Sequence, residues 1–485
     1  MIEKVEPKLI ESLNLIQRNS KNRFHSPKIS KSFEPERING LNCSKKKVWI
    51  EAYGCSASMA DSEMMSGLLK ADGYEMATCE NESSLNIIVT CSVKDVTQHR
   101  MLHRIDKLSK SVKPLIIAGC LAKTERPRIE SLNSYASILG PHSIDRTIDV
   151  VHSAFMGKKA VFVEDSSLDK INLPRIRINP IISIIEIASG CMSECSFCQT
   201  KLAKGRLRSY RIGEILRQMR SDIADGCKEI WLSSTDNGCY GKDIGSDLVH
   251  LLRSCCLIEG DYKIRVGMMN PMYLPCMLKE MIEVFSANDK IFKFLHIPVQ
   301  SGSDRILRKM KRGHTVKTYR NIVRAFRKAF PEITIATDVI IGFPSETNED
   351  FSKTIDLLKE TEPDIVNSSK YSSRSGTEAC KLKQVDSHIV KQRSEQIHKL
   401  VKEIGAKRNS IWKGWRGTVT IDEINGKNIQ GRNYAYKPVL LSTECLISYE
   451  AANAKPHLGG EILVEISSYS AYSLTAGVIN FSSEK

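Results

Sequence analysis

The sequence predicts an α/β protein with three domains: a small parallel α/β N-terminal domain, a partial (β/α)6 barrel and a C-terminal antiparallel β-barrel. Short apolar runs typical of buried strands alternate with amphipathic helical stretches from residue 47 to about residue 410. Beyond that point, short alternating runs separated by Gly, Asn and Pro indicate antiparallel strands. The length of 485 residues suits about three domains.

Composition predicts a globular protein in a reducing compartment. Hydrophobic residues make up 41% of the chain and charged residues 26%, and no apolar run approaches the ~20 residues of a membrane helix. The N-terminus lacks a secretory signal pattern, so we expect a cytoplasmic protein whose fifteen cysteines serve metals or catalysis. The net charge of +15 suits a nucleic-acid partner but also occurs in proteins that bind none.

Shifts in composition predict the domain boundaries. Residues 1–46 are basic and polar with little apolar content, which indicates a mobile extension. A charged stretch with Pro174 and Pro180 reads as a linker. The predicted segments are the extension at 1–46, the N-terminal domain at 47–156, the linker at 157–180, the barrel at 181–410 and the C-terminal domain at 411–480.

Cysteines follow three predicted strands of the N-terminal domain. Cys55, Cys91 and Cys120 each stand on the loop after a strand. Loops that follow parallel strands gather at one edge of the sheet, so these thiols can converge although they are far apart in sequence. Scattered core thiols are the alternative, because free cysteine is often buried. The strands are predicted at residues 48–53, 85–90 and 115–118.

The most informative loop follows the strand predicted at residues 181–188. It carries Cys191, Cys195 and Cys198, with three and then two residues between them. Thiolates are the ligands that iron–sulfur chemistry selects, and three of them can hold three irons of a cubane cluster and leave the fourth iron open. A structural zinc site is the alternative, although zinc prefers paired Cys-x2-Cys motifs and no second motif follows.

Five further strands complete the predicted barrel, at residues 229–233, 263–269, 292–299, 333–341 and 364–370. The active face of such a barrel lies at the carboxyl ends of its strands. Polar residues and glycines at these ends predict a pocket that a nucleoside can approach closely, with simple turn formation as the alternative for any one of them. The candidate cofactor-binding residues are Thr235, Asp236, Asn237, Gln300, Asp338 and Gly342.

Two basic regions predict contact with RNA. A helix predicted at residues 303–328 carries many Lys and Arg residues, among them Arg308 and Arg312, against a single Asp. A solvated surface is the alternative for this helix, and a packing module is the alternative for the C-terminal domain. The C-terminal residues suited to RNA backbone and bases are Arg416, Lys427, Arg432, Tyr434, Tyr436 and Lys437.

The whole pattern resembles the radical S-adenosylmethionine (radical SAM) methylthiotransferases, which combine a three-cysteine domain, a radical SAM core and a C-terminal TRAM domain. The motifs that carry this resemblance are AYGC at 52–55, VTCSVK at 89–94, AGCLA at 118–122 and GCMSECSFC at 190–198. Two further motifs, SSTDNGCYG at 233–241 and HIPVQS at 296–301, are similar to the archaeal and eukaryotic branch. That branch modifies N6-threonylcarbamoyladenosine beside the tRNA anticodon.

The resemblance implies two [4Fe-4S] clusters. Cys191, Cys195 and Cys198 would hold the cluster that cleaves S-adenosylmethionine to a 5′-deoxyadenosyl radical, which removes hydrogen from C2 of the target adenine. The second set, Cys55, Cys91 and Cys120, would hold an auxiliary cluster that presents a methylated sulfur to that carbon. A second S-adenosylmethionine would supply the methyl group. No residue beyond the cluster ligands is singled out as catalytic.

The resemblance also implies partners and leaves alternatives. It implies tRNA, modified at position 37, and an electron donor such as a ferredoxin or flavodoxin, with no membrane partner. The sequence sets no oligomeric state. The alternatives are the same chemistry on isopentenyladenosine in tRNA or on a ribosomal-protein aspartate, and an iron–sulfur RNA-binding regulator that senses redox state without turnover.

Overall fold

The structure is a computed structural model that describes residues 46–92, 95–164, 169–426, 428–442 and 456–477, without the side chains of residues 95–97. The predicted extension up to residue 45 and Lys427 lie outside the described residues. Among the described residues, no helix combines the length and apolar character needed to cross a bilayer. The chain divides into two compact units: Met1–Ile178 with Cys198–Arg206 and Arg374–Thr377, and Asn179–Phe197 with Leu207–Ser373 and Glu378–Lys485.

A parallel sheet of six strands forms the first unit. Its strands are β1 Lys47–Ala52, β2 Glu75–Met76, β3 Leu85–Thr90, β4 Leu115–Gly119, β5 Ser137–Leu139 and β6 Val161–Phe162. They lie in the order β2-β1-β3-β4-β5-β6, and β3 and β4 are buried along their whole length, as strands covered on both faces must be. The helices are α1 Ser56–Ala71, α2 Asp95–Ser109, α3 Cys120–Thr124, α4 Arg126–Leu132, α5 Thr147–Phe155 and α6 Gln199–Lys204. The predicted small parallel α/β fold is confirmed.

The segment expected to be a linker, residues 157–180, is largely built into the first unit. Its strand β6 pairs with β5, and Lys170, which is 3% exposed, donates to Asp61 Oδ1 at 2.7 Å. Further along, the N–H of Ile176 donates to the carbonyl of Glu63 at 2.9 Å. The sequence hides the contacts of Lys170 and Ile176 because their partners lie more than 100 residues away.

Six parallel strands form the barrel of the second unit, and a short antiparallel strand, β8, lies at one edge. The strands are β7 Ile182–Ser189, β8 Arg208–Ser209, β9 Glu229–Ser234, β10 Lys263–Val266, β11 Phe294–His296, β12 Thr334–Ile341 and β13 Ile365–Lys370. One sheet runs β10-β9-β7-β8 and the next β11-β12-β13, and the N–H of Phe292 donates to the carbonyl of Ile264 between them. The helices are α7 Ile212–Ala224, α8 Leu248–Cys256, α9 Leu278–Ala287, α10 Asp304–Lys309, α11 Val316–Ala329, α12 Asn348–Thr361 and α13 Ser387–Ser410. The prediction of a partial (β/α)6 barrel is confirmed.

The single basic helix predicted at residues 303–328 is two helices, α10 and α11. The chain breaks between them, where Lys311 and Gly313 have φ of +55° and +70°. Four of the six arginines in this stretch pair with carboxylates, so these positions do not form a surface of one sign. The pairs are Arg305 with Asp350, Arg320 and Arg324 with Glu360, and Arg327 with Asp364.

A closed barrel of five strands forms the C-terminal region. The strands are β14 Arg416–Asn425, β15 Asn428–Arg432, β16 Pro438–Leu441, β17 Glu461–Tyr469 and β18 Leu474–Gly477, arranged β14-β15-β16-β18-β17. The barrel is antiparallel as predicted except for β16 and β18, which pair in parallel. Five strands that close on themselves cannot alternate in direction throughout, so one pair must be parallel. Its core packs around Trp412, Val419 and Val464.

Aromatic packing attaches this barrel to the rest of the second unit. Tyr436 is 4% exposed, and its ring centroid lies 4.9 Å from that of Phe292, 5.1 Å from that of Phe294 and 6.4 Å from that of Trp231. The hydroxyl of Tyr434 donates to the Glu332 carboxylate. The prediction that Tyr436 stacks on RNA bases is therefore wrong, whereas stacking by the half-buried Tyr434 stays a prediction.

Two of the cations that were also predicted to contact RNA form ion pairs within the protein. Lys437 is 3% exposed and donates from Nζ to Asp364 Oδ1 and to Asn409 Oδ1, both at 2.8 Å. Arg432 pairs with Asp422 at 2.7 Å. Arg416 differs, because its side chain is 61% exposed and, among the described residues, its one ion pair is with Glu465 on the neighbouring strand. Lys437 and Arg432 therefore stabilise packing within the protein, and contact of Arg416 with RNA stays a prediction.

We expect Tyr436→Ala to lower the free energy of unfolding of the second unit by about 3–5 kcal/mol, because it empties a fully enclosed aromatic site. Urea unfolding followed by tryptophan fluorescence measures this change. The control is Tyr469→Ala, since Tyr469 is 41% exposed and its loss should cost no more than about 0.5 kcal/mol. Equal midpoints for the two variants would contradict the packing role of Tyr436.

Candidate active site

The predicted cysteine triplet stands on a tightly held loop at the end of β7. Gly190 turns the chain with φ of +71°, a conformation that favours glycine. Cys191 follows, 7% exposed, and its Sγ accepts a hydrogen bond from the N–H of Ser193 at 3.2 Å. A backbone N–H that points at a ligand sulfur stabilises its thiolate form.

Contacts from other parts of the second unit fix the middle of this loop. The N–H of Ser196 donates to the carbonyl of Met310 at 3.0 Å, and the carbonyl of Ser196 accepts from Ala379 at 2.9 Å. The ring of Phe197, the aromatic residue of the motif, packs edge-on against Phe343 with centroids 6.4 Å apart. The loop therefore has a defined shape set by the protein itself.

Arg312 lies beside the second cysteine of the triplet. It is 5% exposed and donates from Nη1 to Cys195 Sγ at 3.2 Å and from Nη2 to the carbonyl of Pro298 at 3.0 Å. Its predicted place on an RNA-binding surface is wrong.

The candidates after β9 shape the turn next to Cys191. Asp236 is 2% exposed; its Oδ1 accepts from the N–H groups of Gly238 and Asn270, both at 3.0 Å, and its Oδ2 lies 3.8 Å from Cys191 Sγ. Burial, with the nearby Cys191, raises the pKa of Asp236 to about 7. Asn237 donates from Nδ2 to the carbonyl of Leu232 at 2.8 Å, so it holds the turn against the end of β9.

Two candidates carry buried oxygens that suit a polar ligand. Gln300 has φ of +70°, and its backbone N–H donates to the carbonyl of Asp338 at 2.8 Å. Its Oε1 and the Oγ1 of Thr235 are buried and have no hydrogen-bond partner among the described residues. A buried polar atom of this kind calls for an explanation, and a bound cofactor supplies one.

The remaining candidates have partners of their own. The Asp338 carboxylate lies 3.1 Å from His296 Nε2 and accepts from Asn367 Nδ2 at 2.8 Å, so three neighbouring strands share one polar cluster. Gly342 is required by packing, since a Cβ there would stand 2.4 Å from Val390 Cγ2 on α13. Whether Gly342 also faces a cofactor stays a prediction.

The structure brings the other three cysteines to one edge of the first sheet. They follow β1, β3 and β4, which are adjacent. Gly54 lies so close to Cys91 that a Cβ on it would be 2.5 Å from Cys91 Sγ. Contact with Cys91 lowers the pKa of the Cys55 thiol, whereas burial raises the pKa of Cys120 to about 12.

One tight group of possible metal ligands includes a cysteine of the barrel triplet. Within the described ranges, the one group of three ligand side chains whose atoms all lie within 4.8 Å of one another is Cys191, Asp236 and Cys239. The assignment of the two cysteine sets to iron–sulfur clusters stays a prediction.

Comparisons with known proteins agree with this architecture. The Radical SAM superfamily profile matches residues 185–358, and the profile of the uncharacterized protein family UPF0004 matches residues 47–140. A probable threonylcarbamoyladenosine tRNA methylthiotransferase of Pyrococcus horikoshii is 40% identical over 424 residues, which cover 87% of this chain and 99% of the relative. The chain belongs to the radical SAM methylthiotransferase family. It also matches the threonylcarbamoyladenosine tRNA methylthiotransferase of Homo sapiens at 34% identity, over 82% of this chain and 69% of the human protein.

Family membership makes this methylthiotransferase an enzyme that transfers a sulfur-containing group, and the radical SAM profile implies a [4Fe-4S] cluster with S-adenosylmethionine. The residues fit these groups. Three thiols leave one strand end together, and the unsatisfied oxygens of Thr235 and Gln300 stand at strand ends of the same barrel. The assignment of individual cofactor contacts stays a prediction.

Sequence reasoning did not single out several polar residues of the described structure that accompany the predicted candidates. His296 carried a usable signal, because it ends a strand in the same motif as Gln300. Asn270 and Tyr273, which contact Ser193 Oγ from their side chains at 3.2 Å, stand in a stretch that reads as an ordinary loop. Lys204, a buried lysine on α6, has no motif around it that predicts burial.

Proposed function

We propose that this chain is a tRNA methylthiotransferase that inserts a methylthio group at C2 of N6-threonylcarbamoyladenosine at position 37, beside the anticodon. The observation that carries the proposal is a pair of cysteine sets at the carboxyl ends of parallel strands, in a chain that spans 99% of a relative of that name. Cys55, Cys91 and Cys120 would hold the second [4Fe-4S] cluster. We place this work in the cytoplasm, where tRNA is available.

The protein itself binds and orients the reactants and excludes water from them. When bound, the clusters and S-adenosylmethionine supply the radical and the methylated sulfur. Cys191, Cys195 and Cys198 would hold the first cluster, while the unsatisfied oxygens of Thr235 and Gln300 would accept from polar groups of S-adenosylmethionine. The contacts that fix the cysteine loop hold these groups in one geometry, which lowers the entropic cost of bringing the reactants together.

The other candidate functions have less support. Isopentenyladenosine and a ribosomal-protein aspartate are targets of the same chemistry, but the curated relatives that match most of this chain are named for threonylcarbamoyladenosine. A redox sensor does not need an open-iron triplet at a strand-end pocket. Because the radical step consumes an electron, we also propose a ferredoxin or flavodoxin as its source.

Anaerobic reconstitution with iron, sulfide, S-adenosylmethionine and dithionite tests the enzyme against the sensor. Release of 5′-deoxyadenosine, detected by chromatography, is expected of the enzyme. Intact clusters without this product would favour the sensor. Mass spectrometry of tRNA nucleosides from cells that lack the protein then tests the target, since 2-methylthio-N6-threonylcarbamoyladenosine should disappear while its unmethylthiolated precursor remains.

Contact between the C-terminal barrel and tRNA phosphates is tested on the full chain, because removal of the barrel would expose Trp231 and leave Asp364 without Lys437. We expect Arg416→Gln to reduce the slope of log affinity against log salt by about one unit, since one phosphate contact is lost. Lys437→Met is the matched control: it removes a buried charge and should lower stability but leave the slope unchanged. Equal slopes in both variants would exclude a phosphate contact at Arg416.

A further inference from the structure

Two segments of the second unit hold the middle of the barrel cysteine loop in place. The Oγ of Ser196 donates to the carbonyl of Lys309 at 2.8 Å, and the carbonyl of Ser196 accepts from the N–H of Ala379 at 2.9 Å. A salt bridge of 2.7 Å between Lys311 and Glu378 joins the two segments to each other. Because Ser196 lies within the cysteine triplet, side chains that these segments expose stand close to a predicted cluster.

A short path also leads from this surface to a cysteine sulfur. The side chain of Lys311 is 48% exposed, and the next residue, Arg312, is buried and donates from Nη1 to Cys195 Sγ at 3.2 Å. Electron transfer slows steeply as the distance between donor and acceptor grows, so a protein that delivers electrons must dock close to the group that it reduces. The outer side of these two segments meets this requirement.

The same surface is strongly basic. Residues 308–311 and 378–385 contain five cations and one carboxylate, and that carboxylate, Glu378, pairs with Lys311. Such an excess of positive charge attracts an acidic partner and speeds its association. The four other cations are exposed and form no ion pair among the residues that the structure describes: Arg308, Lys309, Lys381 and Lys383.

An open concavity of about 250 Å³ lies within this basic surface. Its walls include Leu382, which is 44% exposed, and Val385, with Lys309 and Lys383 beside them. Exposed apolar area with charge around it is typical of a protein interface, whereas interfaces with nucleic acid are more polar. These observations favour a protein partner over an RNA phosphate.

We infer that this surface docks a flavodoxin, a small acidic protein that carries a flavin, for reduction of the cluster at the barrel cysteines. The inference rests on the proposed function, which supplies that cluster and its need for an electron. The apolar edge of a flavin ring suits the concavity at Leu382, and acidic side chains around the flavin suit the lysines. In this step the flavin hydroquinone is oxidised to the semiquinone and the cluster gains the one electron, while no covalent bond forms or breaks.

Binding of fluorescently labelled flavodoxin to the reconstituted full-length protein, at low and at high salt, tests this inference. The double variant Lys381→Glu with Lys383→Glu should weaken binding about tenfold or more at low salt, and the difference should shrink as salt rises, because salt screens exposed charges. Leu382→Ser should weaken binding at both salt concentrations, since the burial of apolar area is not screened. The matched control reverses the charges of Lys399 and Lys402, which are exposed and about 18 Å or more along α13 from its first residue. It should bind flavodoxin as the wild type does.

Release of 5′-deoxyadenosine with two different reductants separates docking from catalysis. With reduced flavodoxin at low salt, the Lys381 and Lys383 double variant should be about tenfold slower than the wild type. With dithionite, a small reductant that needs no docking surface, the two proteins should react equally. An equal loss with both reductants would show that these lysines support the reaction itself and would overturn the inference.

The remaining outcomes decide between this inference and its rivals. Equal weakening in the control variant would attribute the effect to net charge and overturn the inference, as would binding of a ferredoxin in place of flavodoxin. A flatter salt dependence of tRNA affinity in the double variant, with flavodoxin binding unchanged, would assign the surface to RNA. Flavodoxin-driven cleavage that the double variant loses, without any methylthiolated tRNA from the wild type, would refute the proposed function and leave the docking surface supported.

Discussion

Replacement of Cys195 by alanine is expected to reduce cleavage of S-adenosylmethionine to background, because the first cluster loses one of its three ligands. Cys91→Ala is expected to leave this cleavage measurable and to abolish methylthio insertion, because it removes a ligand of the proposed second cluster. Quantification of 5′-deoxyadenosine and of methylthiolated tRNA in the same anaerobic reaction measures both effects.

Two controls make this comparison decisive. Cys79 is an exposed thiol of the first unit that belongs to neither set, so Cys79→Ala should keep both activities. Circular dichroism and iron content establish that the variants are folded and identify which cluster is lost. Equal loss of cleavage in folded Cys195→Ala and Cys91→Ala would refute the division of labour between the two sets.

The parallel strands, and with them the loops that carry the two cysteine sets, are predictable because burial on two faces leaves a continuous apolar run in the sequence. The strands β3, β4 and β7 are buried along their whole length. A cysteine just after such a strand lies at the carboxyl edge of the sheet, so its place in the sequence predicts its place in the fold. For β1, β3 and β4 this step needs only that the three strands be neighbours, which short parallel units favour.

The partners of charged residues are not predictable in the same way. The sequence does not distinguish a lysine that faces a phosphate from a lysine that is buried against a carboxylate. The partner that determines which of the two occurs is distant in sequence. Lys437 reaches Asp364 across 73 residues, and Arg320 reaches Glu360 across 40. The break at Lys311 is hidden for a related reason, because the basic pattern continues through it while the backbone adopts positive φ. Basic composition therefore predicts less about RNA contact than it suggests.

Recognition of the target requires a cation, because the threonylcarbamoyl group carries a carboxylate. Lys242 is a candidate. It is an exposed residue that follows β9, and its Nζ lies 5.6 Å from the centroid of the Tyr273 ring. The hydroxyl of Tyr273 is 3.2 Å from Ser193 Oγ in the cysteine loop. A positive charge therefore lies close to the side chains that contact the cysteine loop, which is where we propose that the substrate binds.

We expect the reconstituted enzyme to methylthiolate an anticodon stem-loop with threonylcarbamoyladenosine at least about thirty- to a hundredfold more efficiently than one with adenosine or isopentenyladenosine. A charged hydrogen-bonding group left without its partner costs about 2–3 kcal/mol, and a site built for such a group rejects analogues that lack it. The measurement is kcat/KM for the three stem-loops, with 5′-deoxyadenosine release as the internal control. Lys242→Met should lower this preference, whereas Lys279→Met, on an exposed helix position, should not. If the adenosine or isopentenyladenosine stem-loop gave as much product as the threonylcarbamoyladenosine stem-loop, the assignment of the target would be refuted, because a pocket that accepts them equally cannot depend on the carboxylate.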